Sequence, residues 1–303
     1  MYKEHQATKI KSIILLSLAA IIWGVAFVAQ SDGMNYVDVF TFNSSRFIIG
    51  GFVMLPFTRF LNKNETNTLK NNSGSVDLLS GICCGVMIFI GCSLQLTGIK
   101  YTTAGKAGFI TALYIILVPI FGLFLKKRVG MRVWVGVAFA VGGLYLLCIT
   151  ETFMLGMGDI YLLGGAVAFS VHILLIDYFA AKVNAVKLAC YQFIVAGSIS
   201  FIFMLALEKP LFADILAGWV PILYAALLSS GVAFTFQIIG QKNMNPSAAS
   251  LILSFEAVVS VIAGFLLLGE KLSLREIAGC VLMFVAIILA QLPEKGTEKS
   301  KAK

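Results

Sequence analysis

The sequence predicts an all-α polytopic membrane protein, and three observations carry that prediction. Of its 303 residues, 59% are hydrophobic and 13% charged, with a mean hydropathy of +0.93, outside the range of ordinary soluble domains. The apolar residues form windows of about 18 to 23 residues, the length a helix needs to cross ~30 Å of hydrocarbon at 1.5 Å per residue. The second half of the chain also repeats the first.

Ten spans are expected, at 11–30, 36–57, 76–97, 103–125, 132–150, 158–177, 188–207, 218–240, 246–268 and 274–291. Lys3, Lys9 and Lys11 precede the first, but the run Ile13–Ala29 is too long for a secretory h-region and no small-x-small cleavage site follows, so it reads as a transmembrane helix. The polar stretch Leu61–Ser75, rich in Asn, Thr and Ser, reads as a flexible loop. The other connections are short, and no soluble domain fits.

All but six of the 23 Lys and Arg fall on one side if the N-terminus is inside. Lys100, Lys209, Lys271 and Arg275 lie on the other, while Arg46 and Lys106 lie within spans. Positive charge accumulates on the cytoplasmic side, so both termini are expected there. A net charge of +8 placed in this way is an orientation signal, not a nucleic-acid surface. The six cysteines all lie inside apolar spans and read as small apolar residues.

At a constant offset of 142, Gln95 matches Gln237, Gly98 matches Gly240, Lys100 matches Lys242 and Tyr114 matches Glu256. Earlier in each half an offset of 146 matches Phe47 with Phe193 and Gly51 with Gly197. Gln, Gly and Lys recurring in register exceed what shared apolar composition gives. Five spans per repeat is odd, so the halves are expected in opposite orientations: residues 11–150 and 158–291, followed by a cytoplasmic tail at 292–303. Inverted repeats of this kind build alternating-access carriers.

The ninth span carries one acidic residue. It starts at Pro246, which suits the first helical position. Glu256 lies ten residues further on, about 15 Å deep and near the bilayer midplane. A carboxylate there costs at least ~2.5 kcal/mol on insertion scales and normally faces a bundle interior or a wet cavity.

Across this framework the chain carries Trp23-Gly24 in the first span, Arg46-Phe47 in the second and Pro119 with Gly122 in the fourth. Phe255-Glu256 and then Gly269-Glu270-Lys271-Leu272-Ser273 mark the ninth. In this order, over essentially the whole chain, these residues resemble the drug/metabolite transporter (DMT) superfamily, in particular EamA-type ten-helix permeases. The resemblance implies a bacterial cytoplasmic-membrane carrier, often an exporter of amino acids or other small metabolites. It also implies a cavity formed mainly by helices one, three, four, six, eight and nine. Two departures stand out: Lys126-Lys127-Arg128 replaces a frequent Gly-Glu-Arg, and Ala257 replaces a frequent proline, which predicts a straighter ninth helix.

Candidate site residues follow from polarity at depth. Glu256 either titrates or meets a cationic substrate group, the alternative being a structural carboxyl; a carboxyl in apolar surroundings suits proton coupling. Lys106 either snorkels to the outer surface or binds a substrate carboxylate. Gln95 and Gln237, at matched positions, either cap neighbouring helices or bond substrate. Trp23, its mate Phe169, Tyr114 and Phe255 are candidates for an aromatic cavity wall, against lipid-facing or packing roles. His172 is expected as a neutral histidine bonded to a carbonyl, with a proton relay to Glu256 as the alternative. Arg46, on a helix peripheral in the family, is expected to be structural or gating, bonded to backbone carbonyls, Asp38 or Asn43. Asp177 is expected to pair with Lys182, and Gly81-x-x-x-Gly85 to give a close packing face.

There is no phosphate-binding Gly-x-x-x-x-Gly-Lys motif and no metal-ligand cluster, so no cofactor is expected and transport would run on gradients. The expected partners are a small-molecule substrate, the lipid bilayer and protons as coupling ion, with no nucleic acid, in a monomer or homodimer. Multidrug, cationic or nucleoside-type carriage is the alternative within transport. A membrane-embedded lipid enzyme would want paired carboxylates or His/Asp clusters near an interface. A sensor subunit would want a soluble output domain.

Overall fold

The computed structural model describes residues 2–61, 74–127, 129–148, 156–268 and 273–291. Its elements are helical throughout these residues. Helix α1 is Tyr2–Gly33, α2 Val39–Leu61, α3 Gly74–Ile99, α4 Ala104–Ala112, α5 Tyr114–Phe124 and α6 Met131–Cys148. The second half contains α7 Met157–Phe179, α8 Ala185–Leu207, the short α9 Phe212–Ala217 and α10 Trp219–Leu223, a π-helical segment Tyr224–Phe234, and α11 Thr235–Gln241. It ends with α12 Pro246–Leu253, α13 Glu256–Leu268 and α14 Leu274–Gln291. Among the described residues, eight helical stretches are long and apolar enough to cross a membrane, and Met131–Leu146 is a shorter apolar helix. Arg128, the segment 269–272, the tail 292–303 and most of the polar stretch 61–75 lie outside the described residues.

Small residues set the closest approaches. A Cβ on Gly81 would lie 2.4 Å from Tyr191 Cβ, and one on Gly85 2.7 Å from Val195 Cβ, so this pair seats α3 against α8. On α1, a Cβ at Gly24 would lie 2.4 Å from Val259 Cβ and 2.7 Å from the Glu256 carbonyl oxygen, which fixes α1 against the start of α13. Around these contacts α2 packs on α8, α3 on α7, and α6 on α14.

The fourth and ninth spans are each interrupted in the middle. The fourth stops at Ala112 and restarts at Tyr114 as α5; the ninth stops at Leu253 and restarts at Glu256 as α13. At both breaks the backbone tightens to i→i−3 bonds, Leu113 N–H to Ile110 O in one and Phe255 N–H to Ile252 O in the other. Ser254 Oγ also donates to Leu251 O at 2.9 Å, the back-bonding that bends helices. The straighter ninth helix expected from Ala257 is therefore not found, because this serine and the tightened turn do the breaking without a proline. The half-helices cross over, with α4 packing on α13 and α5 on α12.

Candidate functional site

The restart residues of the two broken spans, Tyr114 and Glu256, meet. Tyr114 Oη donates to Glu256 Oε1 at 2.9 Å, and each residue is 4% exposed. Both occupy the first turn of a half-helix, so the positive ends of α5 and α13 point at the pair, an environment favourable to a carboxylate. The pair lines a cavity between the two halves of the chain.

The cavity gathers eight of the ten candidate residues: Glu256, Tyr114, Gln95, Gln237, His172, Trp23, Phe169 and Arg46. Trp23 presents its ring edge-on to Phe234 at 4.7 Å and donates its indole N–H to the Ser229 carbonyl at 3.2 Å. That carbonyl belongs to the π-helical segment, where the altered hydrogen-bond register opens the ladder to an outside donor. Gln95 Nε2 approaches Thr111 Oγ1 at 3.4 Å, while the Oε1 of its mate Gln237 has no hydrogen-bond partner among the described residues. The matched amides therefore serve the cavity wall, not helix caps. His172 Nε2 lies 3.2 Å from Gln192 Oε1, so the carbonyl it meets is that of a side-chain amide.

Two candidates fall elsewhere. Phe255 turns away from the cavity to meet Phe284 of α14, ring centroids 4.8 Å apart, because the tightened turn at Ser254 rotates it off the face that carries Glu256. Lys106 lies outside the cavity lining: its Nζ lies 2.8 Å from Asp159 Oδ2, whose side chain is 2% exposed and also accepts from the Gly156 N–H capping α7. Asp177 takes Lys127 as an ion-pair partner, and Lys182 sits over the Tyr178 ring at 3.3 Å.

Arg46 of α2 is a buried cation. It is 1% exposed and lines the cavity, since the inward face of α2 packs between α8 and the π-helical segment. Of its expected side-chain partners, Asp38 pairs with Lys100 at 2.6 Å, while Asn43 donates Nδ2 to Ser93 Oγ at 3.2 Å and leaves its Oδ1 without a hydrogen-bond partner among the described residues.

Gln30, Thr111 and Ser229 also line the cavity and were not anticipated. A polar residue inside the apolar run 11–30 was the available signal for Gln30. For Gln192 it was the 146-residue offset, which makes it the mate of Arg46.

The EamA-like transporter family model matches residues 10–149 and again 156–292. The chain belongs to the EamA-like transporter family, within the DMT superfamily. It is 30% identical over 284 residues to an uncharacterized transporter of Archaeoglobus fulgidus, covering 91% of this chain and 84% of that protein. It is 23% identical over 278 residues to the uncharacterized inner membrane transporter YedA of Escherichia coli K12, covering 90% and 88%. A crystal structure superposes with a TM-score of 0.74 at 18% identity, covering 92% of this chain and 96% of the other, a likeness in fold alone. This EamA-like chain is thus a multi-span membrane protein whose relatives are named transporters.

Proposed function

We propose that this EamA-like protein is a secondary active transporter of ten transmembrane helices in two inverted five-helix repeats. It would export amino acids or related small metabolites across a bacterial cytoplasmic membrane by alternating access. The observation that carries the reading is the Tyr114–Glu256 hydrogen bond between repeat-matched restart residues, inside one buried cavity. Discontinuous helices meeting near the midplane are how many carriers build a central site. Exchanging the halves turns the α4–α13 contact into the α12–α5 contact, and α3–α7 into the pairing of the π-helical segment with α1, all of which occur. That exchange symmetry supports two arrangements of similar energy that open the site to opposite sides.

In the proposed cycle Glu256 binds either a proton or a cationic group of the substrate. The two compete because a neutral carboxyl offers no charge to an ammonium. Competition at one carboxyl couples opposite movements, so a proton entering from outside displaces substrate outward. His172 stays a neutral, amide-bonded residue next to this exchange and does not relay the proton.

Counterflow in proteoliposomes tests the transport claim. Vesicles loaded with an unlabelled amino-acid mixture are expected to accumulate external labelled amino acids transiently without ATP. Protein-containing vesicles that behave as empty ones towards every amino acid would reject the export reading. Accumulation of cationic drugs or nucleosides alone would move it to the alternative substrate classes.

A further inference from the structure

We infer that Arg46 is the carboxylate-docking residue of this cavity, and that the site is two-ended, built for a ligand carrying both a carboxylate and an ammonium. The inference rests on the transport reading and adds to it the recognition of the substrate's anionic end.

The guanidinium is held by its faces. Its central carbon lies 4.4 Å from the centroid of the Phe47 ring and 5.8 Å from that of Phe42, and Phe47 is itself stacked on Phe193 at 6.0 Å. Cys92 lies beside the group as a side-chain hydrogen-bond partner. Aromatic stacking satisfies the plane of a guanidinium but none of its N–H donors. Nε and Nη2 have no hydrogen-bond partner among the described residues. These two N–H groups point the same way and form the side edge of the guanidinium, which matches the two oxygens of a carboxylate. A buried arginine held against aromatic rings in a cavity wall, with this edge unmet by the protein, suits a bidentate anion.

The rest of the lining has the complementary need. Glu256 carries the acceptor charge, and Gln30 Oε1 and Gln237 Oε1, in the same cavity, are buried acceptors without a partner among the described residues. The lining thus includes both unmet N–H donors and unmet oxygens. Arg46 and Glu256 are not an ion pair at contact distance among the described residues, which leaves the hydrogen-bonding edge of the one and the second carboxylate oxygen of the other to a ligand. A zwitterionic α-amino acid supplies both missing sets of bonds in one small molecule. A purely cationic ligand leaves the Arg46 edge unmet, at a penalty that a site built around a buried charge does not tolerate.

The test uses full-length protein purified in detergent. Its thermal stabilisation is measured with L-leucine, L-phenylalanine, L-threonine and L-lysine, each beside its amino alcohol and its carboxamide. At least one amino acid is expected to stabilise the wild type, with its alcohol and amide at least tenfold weaker. Arg46→Lys, which keeps the charge and loses the fork, is expected to weaken that amino acid at least tenfold and to leave the amino alcohol unchanged. Equal binding of acid and alcohol, wild-type affinity in a folded Arg46→Lys, or no binding by any of the four amino acids overturns the inference. The wild-type comparison stands even if the variant does not fold. Counterflow separates the two claims: carboxylate-dependent binding without flux defeats transport but not the docking role, and flux indifferent to the carboxylate does the reverse.

Discussion

At the residue scale, the distribution of charge separates groups that serve the cavity from groups that hold the wall. Lys106 and Asp159 belong to the wall. Asp159 is buried in a first helical turn and needs its lysine, so Lys106→Met leaves a buried carboxylate short of a partner, at about 1–3 kcal/mol. The expected outcome is a lower unfolding temperature with substrate affinity within twofold of wild type. A variant of normal stability with weakened affinity would return Lys106 to the substrate. Much of the site was legible from single residues: Glu256 and the two glutamines stood out as polar groups in apolar runs, and the repeat offset tied Tyr114 to Glu256. The surroundings of Arg46 and Phe255 are not legible in the sequence, because the face a helical residue presents depends on its neighbours. The sequence does not decide the role of Lys106, because its partner lies 53 positions away.

At the scale of elements, the site depends on broken helices and on how their neighbours are pinned. The spans themselves could be read from length and apolarity, but neither break nor the π-helical segment could. Those arise from a serine hydroxyl, a tightened turn and the packing of adjacent helices, and leave no periodic mark. The position of α2, which carries Arg46, is set at its start. Glu208, at the end of α8, accepts from the N–H groups of Phe40 and Thr41 at 2.8 and 2.7 Å, and from Thr41 Oγ1 at 2.7 Å. This carboxylate from another helix caps α2, so Glu208→Ala is expected to cost about 1–2 kcal/mol. Thermal unfolding in detergent checks it, and an unchanged midpoint would show that the cap contributes nothing. Gly24→Ala is expected to impair flux more than stability would account for, since the added methyl meets the Glu256 carbonyl oxygen. Wild-type flux in that variant would mean that the approach of α1 to α13 is not critical.

At the scale of the whole molecule, similar halves carry unlike chemistry. Gln95 and Gln237 preserve the symmetry, whereas Glu256 faces Tyr114 and Arg46 corresponds to Gln192. A near-symmetric frame gives two exchangeable arrangements, and the unequal residues give a site that distinguishes charge. The orientation we propose, with both termini cytoplasmic, predicts that green fluorescent protein fused to either end is fluorescent in bacteria and alkaline phosphatase fused to either end is inactive. Active phosphatase at one end would place the termini on opposite sides and remove the five-plus-five arrangement. The most direct test of the central claim compares wild type and Glu256→Gln in proteoliposomes with and without an imposed pH gradient, using the amino acid that shows the strongest counterflow. Wild-type flux is expected to follow the gradient, and Glu256→Gln to exchange substrate, if at all, at a rate independent of it. Fully gradient-driven flux in Glu256→Gln would contradict the assignment of Glu256 as the coupling carboxyl.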